Sequence, residues 1–229
     1  MALVFDDRRS HWEEMMAIDI YSTPLLTARE AARHLRMPES TLDNWLAASK
    51  SGDPLVHAVT PERRGWPRVP FVGVIEAYVL RALRDLGMPL ADIRKAAEIV
   101  RAEFDDPYAL ASRRIATDGV AVFVRLADDS LVHARDSQGA FREVLDGCLR
   151  YIEWSSDGSA KRLRLPQYPS EADVVIDPRF GWGAPVLERN KVKVDDLVAL
   201  WRAGESIKQV ADEYDLTESA VEDVLRLAA

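Results

Sequence analysis

"LTAREAARHLRMPESTLDNWL", residues 26–46, decides how the front of this chain folds. Thr27 followed by Glu30 is a capping box, in which each side chain satisfies an orphan amide of a first helical turn. Ala31, Ala32 and Leu35 then share one face, and Arg36-Met37-Pro38 breaks the helix before a second one begins. Leu42, Trp45 and Leu46 give that second helix its apolar stripe. Two short helices around a tight break, with alanines where the crossing helix must come close, form a helix-turn-helix pattern. Taken alone, the stretch reads equally well as an ordinary helical hairpin inside a bundle.

The next segment favours DNA binding. "PLVHAVTPERRGWPRVPF", residues 54–71, has two short β-prone runs around a turn rich in Pro, Gly and Arg, and predicts a hairpin standing beside the second helix as a wing. Val74, Ile75, Tyr78, Val79, Leu80 and Leu83 predict a strongly apolar helix that stops at Gly87. Leu90, Ile93, Ala97 and Val100 predict another.

Beyond residue 107 the pattern changes. "VAVFVRL" (120–126) and "SLVHARD" (130–136) predict paired strands, followed by a helix carrying Phe141, Val144, Leu145, Cys148, Leu149 and Ile152, and by a strand-like "KRLRLPQY" (161–168). In the last module Val194, Leu197, Val198 and Trp201 line one helix that Gly204 ends. Ser206 opens "IKQVADEY" and Thr217 opens "ESAVEDVLRL", a second helix-turn-helix pattern with Val210, Ala211, Leu216, Val221 and Val224 as its core. The expected fold class is α+β, mainly helical. The expected layout is an N-terminal arm (1–21), a winged helix-turn-helix domain (22–106), a small α/β connector (107–170) and a C-terminal three-helix, helix-turn-helix-like domain (171–229).

Charge separates the two helix-turn-helix patterns. The 229 residues carry a formal net charge of -8, yet residues 22–101 hold twelve Lys or Arg against nine Asp or Glu. Phosphate contacts come chiefly from Lys, Arg and amide donors, so the cationic front is the expected reader of DNA. Lys50, Arg63, Arg64 and Arg68 cluster around the expected wing, and the second helix offers Ser40, Thr41 and Asn44 beside Glu39 and Asp43. Asn44 suits adenine; Glu39 and Asp43 either accept from cytosine or stay clear of the duplex. Residues 205–223 hold seven acidic residues and one Lys, a composition that phosphate repels. They read either as a protein-binding scaffold or as a solvated acidic face.

Other classes find little support. The single cysteine, Cys148, is expected to be a packing residue and excludes an internal disulfide framework, and the four histidines lack ligand spacing, so neither metal nor cofactor is expected. No apolar run reaches the roughly 20 residues of a membrane span, and the first residues are too charged for a signal peptide, so a cytoplasmic protein is expected. No phosphate loop, nucleophile elbow or His-based triad is visible, and no catalytic residue is assigned.

The order helix, helix, hairpin, helix, helix, closed by "RALRDLGMPLADIRKA", resembles the winged-helix domain of MerR-type regulators over about residues 22–101. The last module resembles a small domain common in bacterial toxin–antitoxin proteins. Val175, Ile176, Asp177 and Pro178 match its opening, Gly183, Pro185 and Val186 its centre, and Ala203, Gly204, Glu205 and Ser206 its bundle. The G-T-R of that pattern is replaced here by Arg189-Asn190-Lys191. Together the two halves resemble a VapB-type antitoxin. That resemblance implies binding to operator DNA through the front, neutralisation of a PIN-domain ribonuclease toxin through the back, and a homodimer or larger hetero-oligomer. Within the toxin-facing loop, Trp182, Arg189 and Lys191 are the expected anchors, although Trp182 reads equally well as a core residue under its own loop. The long dimerisation helix of MerR-type regulators is missing, since Pro107 interrupts the segment where it would run, so dimerisation is expected to use the connector or the last module. The competing reading is a MerR-like, ligand-responsive transcriptional regulator.

Overall fold

The computed structural model describes residues 18–48, 53–119, 122 and 137–228. Helices α1 (Ala28–His34) and α2 (Glu39–Leu46) form the first pair. The capping box forms as the spacing predicts: Thr27 Oγ1 accepts from Glu30 N at 3.2 Å and Thr27 N donates to Glu30 Oε2 at 2.8 Å. Arg36 takes a left-handed backbone (φ 50°) between the helices. Arg81 from the next helix donates to the Leu35 carbonyl and so closes the turn from outside.

Helix α3 (Phe71–Asp85) is the scaffold. Nearly every residue from Phe71 to Leu80 is buried, including Glu76, as expected of a helix apolar on all sides. Helix α4 (Leu90–Phe104) packs Ile93, Ala96, Ala97, Val100 and Phe104 inward and ends at Asp105 in a left-handed conformation. A buried 3₁₀ turn, Ala109–Ala111, lies against both, and α5 (Ser137–Leu149) covers α3. The two strands expected over 120–126 and 130–136 lie outside the described residues, apart from the buried Val122.

Strands β1 (Ile152–Trp154), β2 (Ala160–Arg164), β3 (Val174–Ile176) and β4 (Val186–Leu187) make an antiparallel sheet in sequence order, and Ile152, expected on the preceding helix, instead opens β1 because it pairs with Leu163. Leu163 pairs with both Ile152 and Ile176, and these three residues are buried beneath the sheet, where β2 meets α3. Because β2 pairs with β3, the sheet runs without interruption past residue 170. Helices α6 (Val194–Arg202), α7 (Ile207–Tyr214) and α8 (Glu218–Ala228) close the chain around Leu197, Val198, Val210, Ala211, Val221 and Val224. Ser206 and Gln209 repeat the capping box on α7, and Thr217 Oγ1 accepts from Ala220 N to cap α8.

Among the described residues one continuous hydrophobic core extends from Leu25 to Leu225. Three contacts near α1 help to fasten the back of the molecule to the front. Gln167 Nε2 donates to the His34 carbonyl at 3.0 Å, and Arg33 reaches Asp195 at 3.5 Å. Gly183 (φ 82°) passes so close to the segment before α1 that a Cβ there would lie 2.8 Å from Leu25 Cβ.

Candidate nucleic-acid interface and partner-binding loop

The wing departs from the sequence-based expectation. Residues 54–70 contain no strand; Val59 N donates to Arg68 O at 2.8 Å, and Leu26 forms an isolated bridge with Val69. The physical reason is local. Pro54, Pro61, Pro67 and Pro70 remove amide donors along both arms, so a ladder cannot propagate. The loop is instead held at its base by Glu76, which is fully buried. His57 N and Nδ1 lie 2.7 and 2.8 Å from the Glu76 carboxylate, and Arg101 donates to that carboxylate at 3.1 Å and to the Leu55 carbonyl at 2.7 Å. Gly73 makes room for the approach, since a Cβ there would sit 2.5 Å from His57 O.

Loop, α1 and α2 enclose a groove of about 730 Å³ lined by Thr27, Arg29, Glu39, Asp43, Arg64, Trp66 and Arg68 among others. Its two carboxylates are both engaged: Glu39 with Arg29 at 3.1 Å and Asp43 with Arg68 at 2.5 Å. Glu39 and Asp43 thus act as holders of arginines, a role that spacing on α2 alone does not reveal. Arg64 has no side-chain partner among the described residues and lies exposed in the groove. Arg63 stacks over Trp66 at 5.3 Å from the ring centroid, which stiffens the loop tip around Gly65. Ser40 and Asn44 are exposed on α2 and Thr41 is half-buried. Of the seven residues expected to meet DNA, Arg64 and Arg68 line this groove, Arg63 adjoins it, and Ser40, Thr41 and Asn44 belong to the helix beside it. Lys50 lies outside the described residues.

Sequence reasoning missed Arg29 and Trp66. Arg29 had a readable signal, because a cation in the first turn of a helix opposes the macrodipole and needs another reason to be there.

In the back half, residues 177–191 form a compact loop system. Asp177 is fully buried and accepts from Arg179 N at 3.0 Å, Nε at 2.9 Å and Nη2 at 2.6 Å, so the Asp-Pro pair of the motif is a structural clasp. Gly181, Trp182 and Gly183 all have positive φ, and side chains at the two glycines would strike Val186 and Leu25. Between them Trp182 is thrown outward, 73% exposed, with Phe180 beside it at the surface. The sequence left Trp182 open between core residue and anchor; its place is the surface. Arg189 is ion-paired with Asp215 at 2.5 Å. Lys191 is bound to Glu188 at 2.8 Å and lies 5.3 Å from the Phe180 ring centroid. The three expected anchors therefore differ: the cations have partners within the chain, while the indole has none of comparable strength among the described residues.

Burial pushes the Cys148 thiol up to about 11, which keeps it protonated, and its helix packs against the core. Among the described residues no group of side chains has the makings of a metal site, and no helix is long and apolar enough to cross a membrane.

Residues 24–97 match a family described as "Putative DNA-binding HTH domain", and residues 174–228 match one described as "Protein of unknown function (DUF433)". Over 226 residues the chain is 35% identical to the protein named "Putative antitoxin VapB45" of Mycobacterium tuberculosis, covering 90% of this chain and 94% of that protein. The crystal structure of Rv2018 from Mycobacterium tuberculosis is similar with a TM-score of 0.74 at 35% identity, covering 90% of this chain and 99% of the other.

Proposed function

The chain belongs to the VapB-type antitoxins and carries a helix-turn-helix DNA-binding domain at its front, and from this premise we propose that it neutralises a PIN-domain ribonuclease by direct binding and represses its own operon. It acts as a binding regulator without catalysis, as a homodimer or within a larger complex with the toxin. The observation that carries this reading is the separation of two unlike surfaces on one continuous core: the arginine-lined groove in front and the projecting Trp182 loop behind.

In front, Arg64 and Arg68 contact phosphate while Ser40, Thr41 and Asn44 face base edges. The groove itself holds three arginines against two carboxylates, a small surplus. Affinity from one copy is therefore weak, and useful binding requires two half-sites. Behind, the geometry favours Trp182 as the energetic anchor, seated in an apolar pocket of the toxin, with Arg189 and Lys191 as rim contacts.

Co-expression with the small protein encoded beside it tests both halves. A PIN-domain protein should co-purify, and the complex should retard DNA from the region upstream of the operon. A specific second reading comes from a cleft of about 490 Å³ lined by Leu46, His57, Thr60, Arg68 and Arg101 among others, which suits a ligand-responsive regulator. Ligand-dependent melting without any co-purifying toxin would favour that reading over the first.

A further inference from the structure

The outer face of the sheet carries cations that neither the α1–α2 groove nor the Trp182 loop uses. Glu153, Arg162 and Arg164 alternate with the buried Ile152 and Leu163, so they point away from α3, while Tyr151 is half-buried beside them and also packs against the core. Together with Arg113, Arg150 and Trp154 they line an open cleft of about 410 Å³. Arg113 is brought there by backbone pairing: its N–H donates to Gly158 O at 2.8 Å, and Ser112 bridges Ser159 at the β1–β2 turn. Arg150 lies over Tyr151, 5.0 Å from the ring centroid, and donates to the Tyr151 hydroxyl at 3.1 Å.

Four guanidinium groups thus surround a cleft that contains one carboxylate, Glu153. Lys161 and Arg162 both bind that carboxylate and hold it below the usual carboxylate range, and Arg162 also pairs with Glu188. Arg164 pairs with Asp173 at 2.5 Å, whereas the Arg113 side chain has no partner among the described residues. Arg113 and Arg150 are the two without a carboxylate partner among the described residues, and the planar guanidinium fork matches phosphate in particular. Half-buried aromatic rings between the arginines add a stacking surface for bases.

We propose that this face of the sheet binds a single strand of nucleic acid, with Arg113, Arg150 and Arg164 on phosphates and Tyr151 and Trp154 toward bases. A single strand fits better than a duplex, because the half-buried rings of Tyr151 and Trp154 can stack only on bases that are not already paired. This face is independent of the antitoxin reading and of the α1–α2 groove, since it uses none of their residues.

The test is fluorescence anisotropy of the full-length protein with a labelled 12-nucleotide RNA of mixed sequence, the same sequence as single-stranded DNA, and a duplex from the operon's upstream region. Salt is varied in each case. The double substitution Arg113→Ala/Arg150→Ala should weaken single-strand binding at least about fivefold and reduce its log–log salt slope by roughly 1.4, as loss of two phosphate contacts to a single strand implies. Duplex binding should stay within about twofold of the parent, and Arg64→Ala should show the reverse pattern. Arg113→Glu alone, at an exposed side chain, gives a second reading if the double variant melts early. The proposal is overturned if single strands bind the parent no better than the variant. It is equally overturned if AMP competes as well as the 12-mer, which would make this a free-nucleotide site, or if the substitutions abolish capture of a partner protein and leave RNA affinity unchanged.

Discussion

Two helix pairs in this molecule are built alike and surfaced differently. The α1–α2 pair opens on the Thr27/Glu30 capping box and turns through Arg36 at φ 50°; the α7–α8 pair opens on Ser206/Gln209 and turns through Asp215 at φ 52°. Each buries small and branched apolar residues along its inner faces. The outer faces decide what each pair can meet. The front pair shares a groove with Arg29, Arg64 and Arg68, while residues 205–223 hold seven acids against one Lys. A helix-turn-helix backbone is therefore a packing solution, and surface charge favours the front pair over the back pair for an approach to phosphate.

The largest expected effect tests whether the two pairs are separate units at all. Glu76→Ala leaves Arg101 without its buried counter-charge and should cost about 3–5 kcal/mol. Because the core is continuous, urea unfolding should show the loss in one transition. A second transition retained at the parent midpoint would mean that α6–α8 fold independently. Next in size, Arg63→Glu with Arg64→Glu should lower affinity for the upstream duplex at least about 100-fold while partner capture survives. Glu218→Lys with Glu222→Lys should leave duplex binding within a few-fold of the parent, and a change of about 100-fold in either direction from the α8 pair would erase the contrast.

Trp182→Gly probes the same contrast from the back of the molecule. Glycine suits the left-handed backbone at this position, so melting should not suffer, while partner affinity should fall about 30-fold, roughly 2 kcal/mol. A smaller effect concerns the seam between the halves. Burial, with Arg33 nearby, pushes His34 down to about 4. The unfolded chain takes up that proton near the ordinary histidine value, so stability is fully present above about pH 6.5 and is lost as pH falls through the folded value. The loss by pH 4 should be on the order of 2 kcal/mol, and His34→Gln should flatten that part of the pH profile. The smallest effect belongs to Asp43→Asn, which releases Arg68 and should raise non-specific duplex affinity about two- to threefold, read as a steeper salt dependence.

The helices are legible in the amino-acid order without any fold. Both capping boxes, the break at Met37-Pro38, the apolar α3 and the acidic tail pair are local signals, set by spacing and side-chain chemistry within a few residues. The cationic half is legible too, because charge is counted, not folded. What the loops became is a matter of three-dimensional packing. Four prolines prevented the wing from pairing as a hairpin, and its place is held by Glu76, whose partners are His57 of that loop and Arg101 of α4. Whether Glu39 and Asp43 are free, whether Trp182 faces core or solvent, and whether Arg113 joins a patch of arginines all depend on contacts between residues far apart in the chain. Such contacts leave no periodic trace in the sequence, since each is settled only when distant segments share one core.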